Sequence, residues 1–480
     1  MGTLEIIKKF IESNWVLEKA VREILERLPV RFRYGISYGP VFRYWLGFLK
    51  ETEKWERDRF ESYQVAQLSD MLIHAGRNVP YYRTIFGEHG FKPERVQTLD
   101  DLKALPYVDK ETVRDNIEDF LADNIPRKSL FRKTTSGSTG IPLALYSDKE
   151  AEEKHWATAV YAWSKMGYSP KSRTVVFWPN TRGVKRYGNQ LILSRYYLDD
   201  EFLQEKFVTL IRDFEPEFIY GIPSALFLFS NFMKERKLSP FSSIKACIVE
   251  SEPLHPWQKK TIEEIFNART FSTYGMAEKA LYASQCMDSS RYHVYPQYGI
   301  PEMIEVRDGI CEIVGTGLIN YANPLIRYKT GDIGILNTQK CEGCNASHQS
   351  LDLITGRVGS LLVGKNGAMY SPVMVGINSN VFENVKLFQF YQDTPGKLIL
   401  RIVKKESFTD ADTDRIKKKI IADIGLQRVK NDMEIMVVFV KDIYRSAFGK
   451  FIIVQQMLDI RRSINAHKSS CEHLEIFDQS

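Results

Sequence analysis

Apolar residues recur at three- and four-residue spacing through the first quarter of the chain. The segment EIIKKFIESNWVLEKAVREILERL at 5–28 has this period, and so does YQVAQLSDMLIHAGRNV at 63–79. Such spacing places apolar side chains on one face of a helix. The pattern therefore predicts a mostly helical region over about residues 1–125.

Residues 29–50, PVRFRYGISYGPVFRYWLGFLK, are rich in aromatic and basic side chains. This composition suits a membrane surface, where aromatic rings and cations lie at the interface. It also fits a connection between two helices that packs on the folded domain. Peripheral membrane contact and a packed connection both stay open at this point.

From about residue 130 to 355, short apolar runs alternate with helical segments. The apolar runs are 174–178, 218–222, 245–250 and 268–275, and the helical segments are 201–214, 224–236 and 256–266. Strands that alternate with helices predict right-handed crossovers and a mostly parallel sheet covered by helices. Ligands in such folds bind beyond the carboxyl ends of strands, so we expect the chemistry in the loops that follow strands.

The pattern changes after about residue 357. The units there are shorter: VKLFQFYQD at 385–393, KLILRIV at 397–403, a charged helix at 412–424 and EIMVVFVKDI at 434–443. They predict a small α+β domain of roughly a hundred residues. The predicted fold class is α/β, with a large N-terminal domain of mostly parallel sheets over 1–357 and a small, mobile α+β domain over 358–480.

Charge and composition narrow the class of protein. The 480 residues carry 66 basic and 60 acidic side chains, a net charge of +6, and 44% of them are hydrophobic. Charges of both signs are interspersed, so nucleic-acid binding is not expected. The start of the chain lacks the apolar region of a signal peptide, and no run reaches the ~18 apolar residues of a membrane span. We therefore expect a cytoplasmic protein whose six cysteines are thiols or metal ligands.

Three short motifs are candidates for nucleotide chemistry. TTSGSTGIP at 134–142 combines hydroxyls and glycines, so it can surround a polyphosphate with donors; a hydroxyl-rich hairpin turn is the alternative. STYGMAE at 272–278 places a carboxylate after a strand, where it can hold Mg²⁺ or simply begin a helix in solvent. PLIRYKTGD at 324–332 ends on an Asp that can accept hydrogen bonds from a ribose diol or form an ordinary turn.

The order of these motifs resembles the superfamily of acyl-CoA ligases, luciferases and peptide-synthetase adenylation domains. Over about residues 55–455 the chain looks most like phenylacetate–CoA ligases and related proteins of capsular polysaccharide gene clusters. In that family a TSGSTG-like loop, a YG..E segment, an RY.TGD segment and a GR dipeptide follow one another. Here they read TSGSTG, YGMAE, RYKTGD and Gly356–Arg357. The resemblance implies an ATP-dependent, AMP-producing ligase.

The resemblance also implies a role for each matching position in the site. The loop on the β- and γ-phosphates would be Thr135, Ser136, Gly137, Ser138, Thr139 and Gly140. The other ATP-binding positions would be Tyr274 and Gly275 beside the adenine, Asp332 at the ribose hydroxyls, and Arg357 at the ribose or α-phosphate. The catalytic residues would be Glu278, which holds Mg²⁺, and Lys450 in YRSAFGKFIIVQQ, a cation placed where negative charge builds during attack.

Some positions depart from the family's pattern. The segment VGS at 358–360 stands where relatives carry an acidic hinge, although Gly359 still supplies backbone freedom for rotation of the small domain between half-reactions. Ile141 stands where many relatives have a lysine after the phosphate loop. Glu250 and Glu252 lie near the predicted acyl pocket, where their charge favours a cationic or polar acid.

A further constellation combines Cys286, His293, Cys341 and Cys344. The CEGC run gives two thiolates across a tight glycine turn, as in a zinc knuckle, and CMDSSRYH offers a third thiolate and an imidazole. The phenylacetate-ligase-like branch resembles this arrangement, which implies a structural Zn²⁺ that joins two loops. Four unrelated side chains are the alternative.

The expected function is activation of a carboxylic acid by ATP and Mg²⁺ as an acyl-adenylate. By resemblance alone, transfer to an amine on a sugar in surface-polysaccharide synthesis ranks first, and transfer to coenzyme A as a thioester ranks second. A non-catalytic nucleotide-binding protein is the rival from another class, and the presence of both Glu278 and Lys450 argues against it. The identity of the acid and the oligomeric state are not readable from composition.

Overall fold

Helices dominate the N-terminal part of the described chain. The computed structural model describes residues 39–134, 143–178, 184–194, 198, 201–307, 310–370, 380–382, 384–423, 432–444 and 452–460. Its α-helices are α1 (Pro40–Glu51), α2 (Arg57–Asn78), α3 (Pro80–Glu88), α4 (Lys110–Asp115), α5 (Lys149–Ser164), α6 (Glu201–Phe214), α7 (Pro223–Glu235), α8 (Pro256–Phe266) and α9 (Asp410–Asp423).

The predicted N-terminal helices fall partly within these residues. The pattern over 63–79 lies almost entirely inside α2, and its buried side chains include Leu68 and Leu72, so that prediction is confirmed. Within the aromatic and basic segment 29–50, helix α1 begins at Pro40, a residue suited to the first helical position. The pattern over 5–28 lies outside the described residues. In the described ranges no helix combines the length and the apolar character that crossing a membrane requires.

The predicted apolar runs form strands, and the structure contains further strands before, between and after them. The strands are β1 (Phe131–Thr134), β2 (Ala144–Ser147), β3 (Thr174–Trp178), β4 (Val184–Tyr187), β5 (Gln190–Ser194), β6 (Phe218–Gly221), β7 (Ala246–Val249), β8 (Arg269–Gly275), β9 (Tyr282–Gln285), β10 (Tyr292–Val294), β11 (Gly299–Arg307), β12 (Ile310–Gly317), β13 (Tyr328–Asn337), β14 (Ser350–Arg357), β15 (Leu362–Val363), β16 (Met369–Tyr370), β17 (Val385–Thr394), β18 (Lys397–Lys404), β19 (Glu434–Phe439) and β20 (Val454–Gln456).

One of two compact units contains parallel strands from the region where the sequence predicts them; its described residues lie in 39–52, 152–249 and 262–271. Strand β3 pairs in parallel with β5 and β6, and β6 pairs in parallel with β7, while β4 is antiparallel to β5. Aromatic rings fill its core: the ring of Phe229 lies 5.2 Å from that of Phe177 and 6.4 Å from that of Phe266. Alternation of strands and helices thus produces the predicted parallel pairing here.

The other unit, which comprises residues 53–151, 250–261 and 272–480, contains an antiparallel sheet. Its strands lie in the order β8, β9, β10, β14, β13, β12, β11, and adjacent strands run in opposite directions. The mixed α/β fold class is confirmed, but the pairings from β8–β9 to β12–β11 are antiparallel, whereas parallel pairing was expected up to residue 355. The connections 276–281 and 286–291 are too short for the crossover that parallel strands need.

The C-terminal part of the second unit is a small α+β body. Four strands lie in the order β19, β18, β17, β20, and α9 joins two of them in sequence. Buried side chains such as Phe390, Leu400, Ile416 and Ile420 form its apolar core. The predicted α+β architecture is therefore present, whereas its mobility and the domain boundary at residue 358 stay predictions.

The N-terminal helices of the second unit position a loop against strand β13. Leu72, Val108, Phe120 and Tyr328 belong to one buried apolar cluster. Val108 also forms two backbone hydrogen bonds with this strand region: its N–H donates to the Arg327 carbonyl at 3.0 Å, and its carbonyl accepts from the Lys329 N–H at 2.8 Å. These bonds fix the start of α4 beside the start of β13.

Candidate nucleotide site and metal centre

Three motif residues that are far apart in sequence meet on the antiparallel sheet. The Tyr274 hydroxyl, at the end of β8, donates to Oδ2 of Asp332 in β13 at 2.9 Å. Arg357, at the end of β14, is the direct cross-strand partner of Asp332, and its Nε lies 3.3 Å from Oδ1. The carboxylate of Asp332 is thus held from both sides, by a phenol and a guanidinium.

Glu278 joins this group through Tyr328. The Tyr328 hydroxyl donates to Oε1 of Glu278 at 3.2 Å, and its ring is 1% exposed. Sequence reasoning placed Tyr328 in the RYKTGD motif without giving it a role. In the structure it connects the motif around Glu278 with the motif around Asp332.

Burial and neighbouring charges shift the pKa values of this cluster. Burial raises the pKa of Asp332 above its ordinary value, although the Arg357 guanidinium and the Tyr274 hydroxyl oppose the shift. The Asp332 carboxylate in turn raises the pKa of Arg357. Burial together with the nearby carboxylates raises the pKa of Tyr274 and of Tyr328 well above the usual range, so both phenols remain protonated donors.

The turn before Asp332 explains the glycine of its motif. Gly331 has φ +76°, a left-handed conformation that favours glycine, and its N–H donates to Oε1 of Glu312 at 3.0 Å. The Asp332 N–H donates to the Thr330 hydroxyl at 3.0 Å, and that hydroxyl donates to the Ile313 carbonyl at 2.8 Å. These bonds fix the direction in which the Asp332 side chain leaves the strand.

Two other motif residues have structural tasks. A Cβ atom on Gly275 would lie 2.8 Å from the Tyr282 ring, so a larger residue does not fit there. Arg327 is buried and pairs with Glu302, with Nη2 2.7 Å from Oε1, and Nη1 donates to the Leu105 carbonyl at 2.5 Å. Packing against Tyr282 therefore requires a glycine at position 275, independently of any contact with a nucleotide. Arg327 connects β13 to the N-terminal region through its hydrogen bond to Leu105.

Other predicted site residues lie outside the described residues or beside the cluster. The positions outside are Thr135, Ser136, Gly137, Ser138, Thr139, Gly140 and Lys450. The strands on either side of the phosphate loop are described: Thr134 and Ala144 are direct antiparallel partners in β1 and β2. Glu250 accepts a hydrogen bond from the Thr273 hydroxyl at 3.3 Å, which places this carboxylate next to the residue before Tyr274.

Lys110 is a member of the cluster that sequence reasoning missed. It is half-buried at the start of α4, and burial, followed by the charge of Arg357, lowers its pKa, while Glu278 opposes the shift. Its ammonium group therefore lies in the electrostatic field of two site residues. No motif marks Lys110, because only the pairing of Val108 with β13 brings it here.

The four predicted metal ligands also converge. One donor atom each from Cys286, His293, Cys341 and Cys344 lies within 4.8 Å of all the others. The Sγ atoms of Cys341 and Cys286 are 3.9 Å apart, close to the ~3.8 Å expected between two thiolates on one tetrahedral Zn²⁺. Nε2 of His293 lies 3.3 Å from Sγ of Cys344. This proximity favours a shared metal ion over four unrelated side chains.

The chemistry of the donors also fits a metal. Burial lowers the pKa of His293 to about 3, so its imidazole is neutral, the form that binds metals. Burial opposes ionisation of Cys341, but hydrogen bonds from Ser289 and from the backbone of Cys344 and Gly343 outweigh it and lower its pKa to about 7. Gly343 is needed for close approach, since a Cβ atom there would lie 2.9 Å from that of Asp288.

Comparison with solved structures defines the class of fold. The 2-hydroxyisobutyryl-CoA ligase in the postadenylation state, in complex with 2-HIB-AMP, matches with a TM-score of 0.69 and 18% identity over 88% of this chain and 94% of that chain. The same ligase, in an open conformation with 2-HIB-AMP and CoA, matches with a TM-score of 0.54 and 19% identity over 82% of this chain and 91% of that chain. The fold is therefore that of the adenylate-forming ligases.

Sequence comparison narrows the relationship. Phenylacetate-coenzyme A ligase of Aromatoleum evansii is 28% identical over 391 residues, 77% of this chain and 86% of the relative, and that of Thermus thermophilus is 24% identical over 364 residues, 72% and 81%. Protein CapK of Staphylococcus aureus is 22% identical over 379 residues, 76% and 82%. The family model described as the CapK C-terminal domain matches residues 362–456. The chain is thus a homologue of phenylacetate–CoA ligases and CapK. This relationship confirms the resemblance that its motifs indicated. It also confirms the expected class of enzyme, an adenylate-forming ligase that produces AMP.

Proposed function

We propose that this protein activates a carboxylic acid with ATP as an acyl-adenylate and passes the acyl group to an acceptor. The observation that carries the proposal is the meeting of Tyr274, Glu278, Asp332 and Arg357, from three separate motifs, in one cluster. Tyr274 and Arg357 contact Asp332, and Glu278, which is held by Tyr328, lies in the electrostatic field of Arg357. A protein that used these motifs only as turns would have no need to bring them together. The fold of adenylate-forming ligases supports the same assignment.

Each residue of the cluster has a task in this reaction. Asp332 accepts hydrogen bonds from the ribose hydroxyls, and Tyr274 and Arg357 hold its carboxylate in place. Tyr274 lies beside the adenine, and Arg357, which is 47% exposed, can direct its guanidinium toward an α-phosphate oxygen. Glu278 holds Mg²⁺, which when bound would screen the phosphate charges. The Tyr328 hydroxyl orients the Glu278 carboxylate for that task.

The phosphate loop and Lys450 lie outside the described residues, and we propose that both take part in the reaction. The loop Thr135–Gly140 donates backbone N–H groups to the β- and γ-phosphates, and the paired strands β1 and β2 hold its two ends. Lys450 neutralises the charge that develops as the acid's oxygen attacks the α-phosphate and pyrophosphate leaves. The product of this step is a mixed anhydride between the acid and AMP.

Coenzyme A is the acceptor that the relatives named phenylacetate-coenzyme A ligase favour. The similarity to CapK, including the match over 362–456, supports a second candidate for the acyl acceptor. This acceptor is an amine on a sugar in surface-polysaccharide synthesis. We propose a cytoplasmic site for either reaction. Glu250, beside Thr273, supports a polar or cationic acid as the substrate.

The Cys286, His293, Cys341 and Cys344 cluster is proposed to hold a structural Zn²⁺. All four positions of a tetrahedral ion would be filled by protein ligands, which leaves none for substrate. The ion would join the β9–β10 connection to the β13–β14 connection. Because β13 and β14 carry Asp332 and Arg357, the centre would support the nucleotide site from the opposite ends of those strands.

Acid-dependent exchange of labelled pyrophosphate into ATP tests the first step. A panel of aromatic, amino and hydroxy acids is expected to contain at least one that promotes exchange. Adding coenzyme A or an amino sugar with that acid then identifies the acceptor, by detection of a thioester or an amide. ATP binding without exchange for any acid would instead favour a nucleotide-binding protein without catalysis.

A further inference from the structure

We propose that Lys110, from the N-terminal helical region, binds a phosphate oxygen of the nucleotide at the site of Asp332 and Arg357. The inference rests on the proposed nucleotide site and adds a residue that none of the three motifs contains. It assigns a ligand-binding task to the segment that precedes the phosphate loop in sequence.

The backbone around Lys110 is fixed from two sides. Val108, two residues earlier, forms hydrogen bonds of 3.0 Å and 2.8 Å with Arg327 and Lys329. Asp109 then caps α4, because its Oδ1 accepts from both the N–H and the hydroxyl of Thr112, each at 2.8 Å. Lys110 is the first residue of that helix. Its Cα position relative to β13 is therefore set by structure and does not depend on a ligand.

The helix itself gives no reason for a lysine at this position. A cation in the first turn of a helix interacts unfavourably with the helix dipole, whereas an acidic residue such as Glu111 suits it. Within the described residues, no carboxylate lies within 4.0 Å of the Lys110 ammonium, so no ion pair explains the residue either. Lys103, the preceding lysine, differs: it is 66% exposed and pairs with Asp100 at 2.9 Å.

The charges around Lys110 leave room for an anion. Arg357 and Arg114 are the neighbouring cations, and Glu278 is the neighbouring carboxylate. Arg357 is already paired with Asp332, and Arg114 with Asp115 at 3.3 Å. A half-buried ammonium without a partner is costly, and a bound oxyanion would remove that cost. The lowered pKa of Lys110 agrees with an ammonium that gains from a bound anion.

The α-phosphate is the oxyanion that fits this place. Asp332 is assigned to the ribose, and the α-phosphate is attached next to it, on the side that Arg357 can reach. Glu278 is assigned to Mg²⁺ and so binds a cation and not the anion. Lys110 and Arg357 would then contact the same phosphate, Lys110 with its ammonium group and Arg357 with its planar guanidinium.

Binding of AMP and of adenosine to purified full-length protein tests the proposal. In the Lys110→Met variant, the Kd of AMP is expected to rise about 10- to 100-fold, the range of one charge-assisted hydrogen bond, while the Kd of adenosine stays within about twofold. Lys110→Arg should retain most of the affinity for AMP. Lys103→Met serves as the matched control and should bind both ligands as the wild type does.

The outcomes separate this proposal from the proposed function. An unchanged Kd of AMP in Lys110→Met, or an equal loss for AMP and adenosine, would overturn the role of Lys110 and leave the nucleotide site standing. If the wild type bound neither ligand, the nucleotide site and the role of Lys110 would both be wrong. Thermal unfolding of each variant checks the fold, and Lys110→Gln replaces Lys110→Met if the latter unfolds.

Discussion

The phenol oxygen of Tyr274 and a carboxylate oxygen of Asp332, 58 residues apart in sequence, are 2.9 Å apart in the structure. The bond crosses from the end of β8 to the end of the β13–β14 pair, where Arg357 faces Asp332. It joins the second motif to the third and to the GR dipeptide.

Removing the negative charge of Asp332 should change the pH dependence of stability. Because the folded-state pKa of Asp332 is raised, its carboxyl stabilises the fold fully below the ordinary value of 3.8, and this contribution is lost as the pH rises through the raised pKa. In urea unfolding, the stability of Asp332→Asn relative to wild type should therefore increase as the pH rises above the ordinary value of 3.8. Asp100→Asn, at a carboxylate that is 79% exposed, is the control. A relative stability that falls over this range would contradict the assignment.

Glu278→Gln should reduce adenylation with little effect on the fold. The amide oxygen can still accept the hydrogen bond from Tyr328, but it is a poorer ligand for Mg²⁺. We expect the pyrophosphate-exchange rate to fall about 100-fold, with a shift of the Mg²⁺ dependence to higher concentration. Tyr328→Phe, which only frees the Glu278 side chain, should cause a smaller loss. An unchanged Mg²⁺ dependence would remove Glu278 from the metal site.

Lys450→Ala should abolish acid-dependent pyrophosphate exchange while nucleotide binding persists. The lysine is proposed to act on charge that develops in the transition state, so its loss should lower kcat by about 100-fold or more and leave the KM for ATP nearly unchanged. Lys441→Ala, at another lysine of the C-terminal domain, is the matched control. Activity at the wild-type level in Lys450→Ala would show that another residue supplies this charge.

The proposed zinc site leads to a prediction about the metal content and the thermal stability of the protein. Wild-type protein purified without chelator should contain about one Zn²⁺ per chain by elemental analysis, and Cys341→Ser should contain much less. The variant should also unfold at a lower temperature, since metal binding contributes to folding. Cys311→Ser, outside the cluster, should keep both the zinc and the stability. Equal zinc content in the two variants would mean that the four side chains do not hold the ion.

Local patterns in the sequence were sufficient for much of this architecture. The helix at 63–79, the strands and helices from 174 to 275 and the small α+β body after 385 occur where the hydrophobic period predicts them. Secondary structure follows from contacts between near neighbours, so a period of two or 3.6 residues identifies it. The proximity of the motif residues Tyr274, Asp332 and Arg357, and of the four Cys and His side chains of the cluster, also agrees with the groups chosen from the sequence; their roles as site residues and ligands stay predictions.

Tertiary structure alone decided how these residues are held and which others join them. Antiparallel pairing from β8 onward depends on connection lengths, and the register that sets Asp332 opposite Arg357 depends on two strands that are joined by the connection 338–349. Tyr328 reaches Glu278 only because the fold brings the start of β13 close to the residues that follow β8 in sequence, although three strands separate β8 from β13 in the sheet. Lys110 joins the site through two backbone hydrogen bonds of Val108 across more than two hundred residues. Contacts at such separation leave no periodic trace in the chain, since they are fixed by packing and strand register.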